Sequence, residues 1–246
     1  MKTIKLESIR NIRDLGETKT SDGNTIQRNR LIRSANLAKA SEEDIAFLKE
    51  EFGLKAVVDL RTFQEVEEKP DQVYGLDYYH IPIIETFEDG ITHENKKAKK
   101  FPRMEDTYAM IVTKKEYISG LSKALKQIMN CVENDQTVLW HCSEGKDRCG
   151  LVSALLLEML GVDRKTIVKD YLETNKTNLD RAKAIYEKVR EEAGEEIAIT
   201  IYRAFIADEE YLKAAYDNMG EDFFEKKLKI DDAAIESFRK KMLKEK

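Results

Sequence analysis

A cysteine, a carboxylate and an arginine stand within seven residues of one another in Cys142-Ser143-Glu144-Gly145-Lys146-Asp147-Arg148. The apolar run Val138-Leu139-Trp140 leads into them through His141, and a second apolar run, Leu151 to Leu160, follows. That order predicts a buried strand, a tight loop and an amphipathic helix. The backbone N–H groups of such a loop and the positive end of the helix dipole converge on one small anion, as in phosphate sites. A cysteine at the start of the loop sits where a thiolate is stabilised. An arginine at the far end offers planar, bidentate donors to phosphoryl oxygens. A helix N-terminus disfavours a cation there unless an anion is bound. These residues predict attack of Cys142 on phosphorus, a cysteinyl-phosphate that water hydrolyses, and a charge clamp by Arg148. Ser143, Glu144, Gly145, Lys146, Asp147 and Arg148 form the expected phosphate-binding loop. The competing reading of Cys142 is a small core cysteine at a strand end.

Cys-x5-Arg preceded by His resembles the signature of the protein tyrosine phosphatase superfamily. The fuller pattern His141-Cys142-x-x-Gly145-Lys146-Asp147-Arg148 resembles a narrower bacterial group, the tyrosine phosphatase B type of mycobacteria with its lipid- and tyrosine-phosphatase relatives. Shorter matches at Asn11-Ile12-Arg13-Asp14-Leu15-Gly16, Arg33-Ser34-Ala35, Lys55 to Arg61 and Asp170-Tyr171-Leu172-Glu173-Thr174-Asn175 extend the resemblance along the chain. It implies a phosphatase that needs no metal or other cofactor. The implied substrates are phosphotyrosine in a phosphoprotein and, from the relatives, phosphoserine, phosphothreonine or the phosphoinositide head group of a phospholipid.

The resemblance implies Asp147 as the acid that protonates the leaving oxygen. Glu85, after Ile81-Pro82-Ile83-Ile84, stands where relatives carry an acidic residue and is the other candidate. A free Asp titrates near 3.9, so an acid role needs anionic surroundings that raise it. The alternative role of Asp147 is to hold Lys146 or the loop. Lys146 adds positive charge beside the phosphate, and in lipid phosphatases of this superfamily the loop lysine helps bind head groups. Glu144 works the other way, repelling polyanions from the mouth. His141 is expected to orient the loop through backbone partners. Cys149 departs from the relatives, which carry Ser or Thr after the arginine. That hydroxyl bonds the thiolate and eases breakdown of the phospho-enzyme, whereas a thiol is a weaker, longer donor. Two readings follow: a tolerated substitution with slower turnover, or a resolving thiol that captures an oxidised Cys142 as a disulfide. The rival to an enzyme is a phosphate-dependent binding module crippled by Cys149.

Several elements must position these residues. Ser41-Glu42-Glu43-Asp44 is a capping box opening a helix to about Phe52, which Gly53 ends. Lys55 to Arg61 reads as a parallel core strand ending in charge, Leu76 to Ile84 as another strand, and Thr25-Ile26-Gln27 and Leu31-Ile32-Arg33 as short extended pieces. Ile118, Leu121, Leu125, Ile128, Met129 and Val132 recur at helical spacing, and Tyr108 and Tyr117 read as core packing. Helices are expected over 163–172, 177–192, 197–206, 208–219 and 231–244, with breaks at Ala193-Gly194 and Asn218-Met219-Gly220. The stretch 85–103, with Lys96, Lys97, Lys99, Lys100 and Arg103, reads as a loop. The expected fold is α/β, a central mostly parallel sheet flanked by helices. One phosphatase domain is expected, with an α/β core over 1–175, a lid-like region at about 85–115 and a helical part over 176–246.

The net charge of −5 argues against nucleic acid as the partner, since a phosphate backbone calls for a basic face. The longest apolar run, around Leu151 to Leu157, is too short to span a bilayer. Neither a signal peptide nor a disulfide framework is suggested by the first residues or by three cysteines, so the expected setting is cytoplasmic. Three histidines and three cysteines without paired ligand spacing predict no metal site.

Overall fold

The computed structural model describes residues 2–85 and 103–244. In chain order the strands are β1 (Lys2–Thr3), β2 (Arg13–Asp14), β3 (Thr25–Ile26), β4 (Leu31–Ser34), β5 (Leu54–Asp59), β6 (Asp77–His80), β7 (Thr137–His141) and β8 (Leu243–Lys244). The helices are α1 (Glu42–Glu51), α2 (Phe63–Glu68), α3 (Met104–Thr113), α4 (Lys115–Glu133), α5 (Asp147–Met159), α6 (Arg164–Glu173), α7 (Asn175–Ala193), α8 (Glu195–Phe205), α9 (Glu209–Met219) and α10 (Asp232–Met242). None of them is long and apolar enough to cross a membrane.

Six strands form one sheet in the order β1-β2-β4-β7-β5-β6. β4, β7, β5 and β6 run parallel, and β2 and β1 extend the sheet antiparallel. Side chains alternate along each parallel strand. Leu31, Ala56, Val58, Val138 and Trp140 enter a core shared with α4, α5, α6, α9 and α10. Ile32, Leu54, Val57 and Leu139 enter a second core with Ile45 and Leu48 of α1. Both faces are therefore covered, as a parallel sheet requires. The register sets Ser34 beside His141, His141 beside Asp59 and Asp59 beside His80. The strands end level, directly before Cys142, at the carboxyl edge where open α/β sheets bind ligands.

Several boundaries differ from the sequence reading. The strand expected over 76–84 is confined to Asp77–His80, because Pro82 has no N–H to continue a ladder. The last helix stops at Met242, and Leu243–Lys244 pairs antiparallel with Thr25–Ile26. Two helices escaped the reading. α2 has six residues, too few for a periodic signal, yet it carries a complete capping box in which Thr62 and Glu65 bond each other's backbone N–H. α3 occupies part of the region read as lid-like, with Tyr108 fully buried against Tyr171 and Tyr211. The rest of that region, including Lys96, Lys97, Lys99 and Lys100, lies outside the described residues. The break at Ala193-Gly194 is real: Gly194 adopts φ +88° between α7 and α8, a conformation that favours glycine.

Candidate active site

β7 delivers Cys142 to the carboxyl edge of the sheet, and α5 begins at Asp147. Between them the chain turns tightly, and Gly145 shows why. It sits at φ +65°, and a Cβ there would lie 2.4 Å from the Ser34 carbonyl oxygen. The loop carbonyls are drawn outward. Asn36 Nδ2 donates to Ser143 O at 2.8 Å, Asn11 Nδ2 to both Glu144 O and Gly145 O at 3.1 Å, and Arg33 Nη2 to Gly145 O at 2.8 Å. Because each peptide unit is planar and trans, outward carbonyls turn the N–H groups to the opposite side, over the cradle.

Arg148 is buried, and Glu65 of α2 grips it with Nη1–Oε2 at 2.6 Å and Nη2–Oε1 at 2.8 Å. Glu65 also accepts from the Thr62 N–H and from the Ser143 hydroxyl. Burial works against the Glu65 charge, but Arg148 outweighs it and holds the carboxyl down at about 2. Burial likewise opposes the Arg148 charge, and Glu65 more than restores it. The Arg148 Nε has no hydrogen-bond partner among the described residues, although it is buried. A buried donor without a partner is costly, so this atom is poised for an acceptor that enters the cradle.

The remaining residues singled out in the sequence are placed as follows. Cys142 is 2% exposed. Asp147 is buried, accepts from the Tyr108 hydroxyl at 2.9 Å and lies 3.1 Å from Lys146 Nζ. Tyr108 in turn shares a 2.7 Å hydrogen bond with Tyr171. The Lys146 side chain runs to the C-terminal end of α8, donating to Ala204 O and to Ile206 O at 3.0 Å. Glu144 is paired with Arg181 of α7 at 2.7 Å and Arg10 at 3.4 Å, which offsets its repulsion of anions. Ser143 and Glu144 line a cavity of about 1000 Å³ together with Arg10, Asn36, Lys39 and Arg181. Glu85 is exposed and lines a different cavity, with Phe63, His80 and Lys123.

His141 lies buried beneath the loop, 3.0 Å from Asp71 and 3.8 Å from Asp59, with Nδ1 3.3 Å from Cys142 O. Burial disfavours its charge, but the two carboxylates prevail and raise its pKa. Arg61 bridges the same carboxylates at 2.7 and 2.8 Å. On the other side of β7, Arg13 and Arg33 share Asp170 at 2.7 and 2.8 Å. Cys149 is fully buried; its thiol donates to Trp140 O at 3.6 Å, and burial pushes it up to about 11.

Glu65, Asn36, Asp71 and Arg181 carry no mark in the sequence reading. The spacing Thr62-x-x-Glu65 directly after a strand was the available signal for Glu65. Three of the four short segments of resemblance meet here: Asn11 and Arg13, Arg33, and Asp170 with Thr174 are joined to one another or to the loop.

The model of the tyrosine phosphatase family matches residues 4–244. The triple specificity protein phosphatase PtpB of Mycobacterium tuberculosis is 28% identical, over 87% of this chain and 87% of its own length. A putative tyrosine-protein phosphatase of Cupriavidus necator is 30% identical, over 71% of this chain and 64% of its own. Among solved structures, that of Pseudomonas aeruginosa TpbA aligns with 16% identity and a TM-score of 0.36, over 80% of this chain and 91% of its own.

Proposed function

The chain belongs to the tyrosine phosphatase family, in its bacterial PtpB-type branch, and from that premise we propose that it hydrolyses phosphotyrosine in proteins through a cysteinyl-phosphate. The observation that carries the proposal is the buried Arg148, whose two terminal nitrogens are spent on Glu65 while Nε has no partner among the described residues. Glu65 fixes the plane of the guanidinium, and the cradle takes the phosphoryl oxygens.

The Cys142 sulfur attacks phosphorus in line, and the bond from phosphorus to the tyrosine oxygen breaks. Asp147 gives its proton to that oxygen. A water then attacks phosphorus, leaves its proton on Asp147, and returns Cys142 as thiolate. Asp147 is preferred to Glu85 as the acid because it opens α5 next to Arg148, whereas Glu85 lines another cavity. A phenolic leaving group, which asks least of the acid, is the favoured substrate. The mycobacterial relative is named for triple specificity. Phosphoserine, phosphothreonine and phosphoinositides are therefore secondary substrates in this proposal, with Arg10, Lys39 and Arg181 facing the anion.

One observation favours a second reading. The Cys149 thiol is engaged with Trp140 O, which slows breakdown of the phospho-enzyme or leaves a binding module. Phosphate release from a phosphotyrosine peptide, with and without reductant and with Cys142→Ser as blank, separates them. Multiple turnover lost in Cys142→Ser is expected. A stoichiometric burst that stalls places the defect in the second step. Tight binding without release overturns the enzyme.

A further inference from the structure

Two arginines and one aspartate are sealed beneath the loop on its β4 side. Arg33 is 0% exposed, and Arg13 and Asp170 are nearly as buried. Arg33 gives Nη1 to Asp170 at 2.8 Å and Nη2 to Gly145 O at 2.8 Å. Arg13 gives Nε to the same Asp170 at 2.7 Å and Nη1 to Asn11 Oδ1 at 2.7 Å. Among the described residues, Asp170 is the one carboxylate paired with either arginine. The cluster therefore holds two positive charges against one negative. The excess is felt inside it: burial first, and then repulsion from Arg33, lowers the Arg13 pKa.

A buried charge excess is expensive unless something answers it. What lies next to Arg33 is the catalytic loop. Its register partner on β7 is Trp140, two residues before Cys142. It bonds the loop carbonyl at Gly145, and a Cβ on Gly150 in the first turn of α5 would come within 3.4 Å of its Nη2. Arg33 thus lies under both limbs of the loop. Burial opposes its charge, but Cys149, Asp170 and Cys142 together hold its pKa above the ordinary value. The electrostatic partner that the cluster lacks is an anion on the loop.

We infer that the Arg13–Arg33–Asp170 cluster is a positioning element for the reaction: its uncompensated charge, carried by Arg33, stabilises the Cys142 thiolate from behind the loop, on the side opposite the phosphate. The inference rests on the reading of Cys142 as nucleophile. The groups that meet Cys142 from the packed elements are Arg33 from β4, Arg148 and Cys149 from α5, and His141 from β7 at the Cys142 carbonyl. Arg33 alone among them is a permanent cation that shares its carboxylate with a second arginine.

The test is the rate at which iodoacetamide alkylates Cys142, located by mass spectrometry, at pH values where that rate still rises with pH. Arg33→Gln removes the excess and is expected to slow alkylation about three- to tenfold. Arg33→Lys keeps the charge and restores the rate. Asp170→Asn adds a second unit of excess and accelerates alkylation by a similar factor. A purely structural cluster would not give shifts of opposite sign. Arg13→Gln, which touches no loop atom, also slows the reaction and serves if Arg33→Gln does not fold. Equal rates, or Arg33→Gln and Asp170→Asn moving together, overturn the inference. Phosphate release by the wild-type protein is measured alongside. If it is absent, the proposed function fails on its own account; if it is present while the alkylation rates are equal, only the cluster's role is lost.

Discussion

Two buried charge networks flank β7 beneath the loop, and they are built on different arithmetic. On the β5 side, Asp59 and Asp71 face Arg61 and His141, whose charged form the two carboxylates favour against its burial. On the β4 side, Arg13 and Arg33 face Asp170 alone. The first network is closed, and it contains a histidine that can change its charge if a neighbour is lost. The second is open, and neither arginine can release its proton at any ordinary pH. A balanced network holds geometry with little field outside itself. An unbalanced one projects its surplus onto neighbouring groups that can be negative, and here those include the Cys149 thiol and the nucleophile.

The largest effect comes from removing what both networks serve. Arg148→Lys replaces a planar fork by a point charge and is expected to lower kcat about a thousandfold or more, with circular dichroism unchanged. Next, Asp59→Asn breaks a fully buried pair and is expected to cost about 3 kcal/mol in urea unfolding. Loss of that carboxylate also disfavours the His141 charge, so the net change beneath the loop is small and alkylation of Cys142 stays within about twofold of wild type. A large alkylation change in Asp59→Asn would erase the distinction between the two sides.

A third, smaller effect is read from stability against pH. Glu65 is held at about 2, so its contribution is complete above the ordinary Glu value of about 4.3 and is lost as pH falls toward 2. The His141 pKa is raised, so its contribution is complete below about 6.5 and is lost as pH climbs through the raised value. Urea midpoints are expected to be highest between those limits. His141→Asn should flatten the alkaline limb alone. The smallest change is Cys149→Ser, which restores a hydroxyl beside the loop. It should speed the second chemical step about two- to fivefold, of the order of one hydrogen bond, seen as faster decay of the burst. At about 11 the Cys149 thiol stays protonated near neutrality, so capture of an oxidised Cys142 as a disulfide is expected to be slow in peroxide-treated protein.

The loop was legible because its parts are consecutive: Cys142, Gly145 and Arg148 stand on one turn, between an apolar strand and an apolar helix. The parallel sheet was legible from β5 and β7, whose continuous apolar runs suit strands buried on both faces. Partners joined across the fold were not. Nothing local in Arg33 or Asp170 announces the other, because their contact exists only once α6 has docked behind β4. Glu65 sits in a helix too short for periodicity to register. Side-chain direction was equally hidden. Lys146 was expected beside the phosphate, yet its ammonium meets the carbonyls of Ala204 and Ile206, and α8 holds no sign in its own sequence that it will receive a lysine.

The strand order β4-β7-β5 also governs how the molecule is assembled. β7 is made long after β4 and β5, yet it lies between them, so the two earlier strands cannot close the sheet on each other. Their inner edges stay open while roughly eighty further residues are synthesised, from Asp59 to Thr137. Such long-range insertion is slow and leaves exposed edges prone to aggregation. It also means that the strand completing the sheet carries the nucleophile. A nascent chain whose sheet is unfinished has no cradle and no aligned cysteine, so reactivity arrives with the last step of sheet assembly rather than before it.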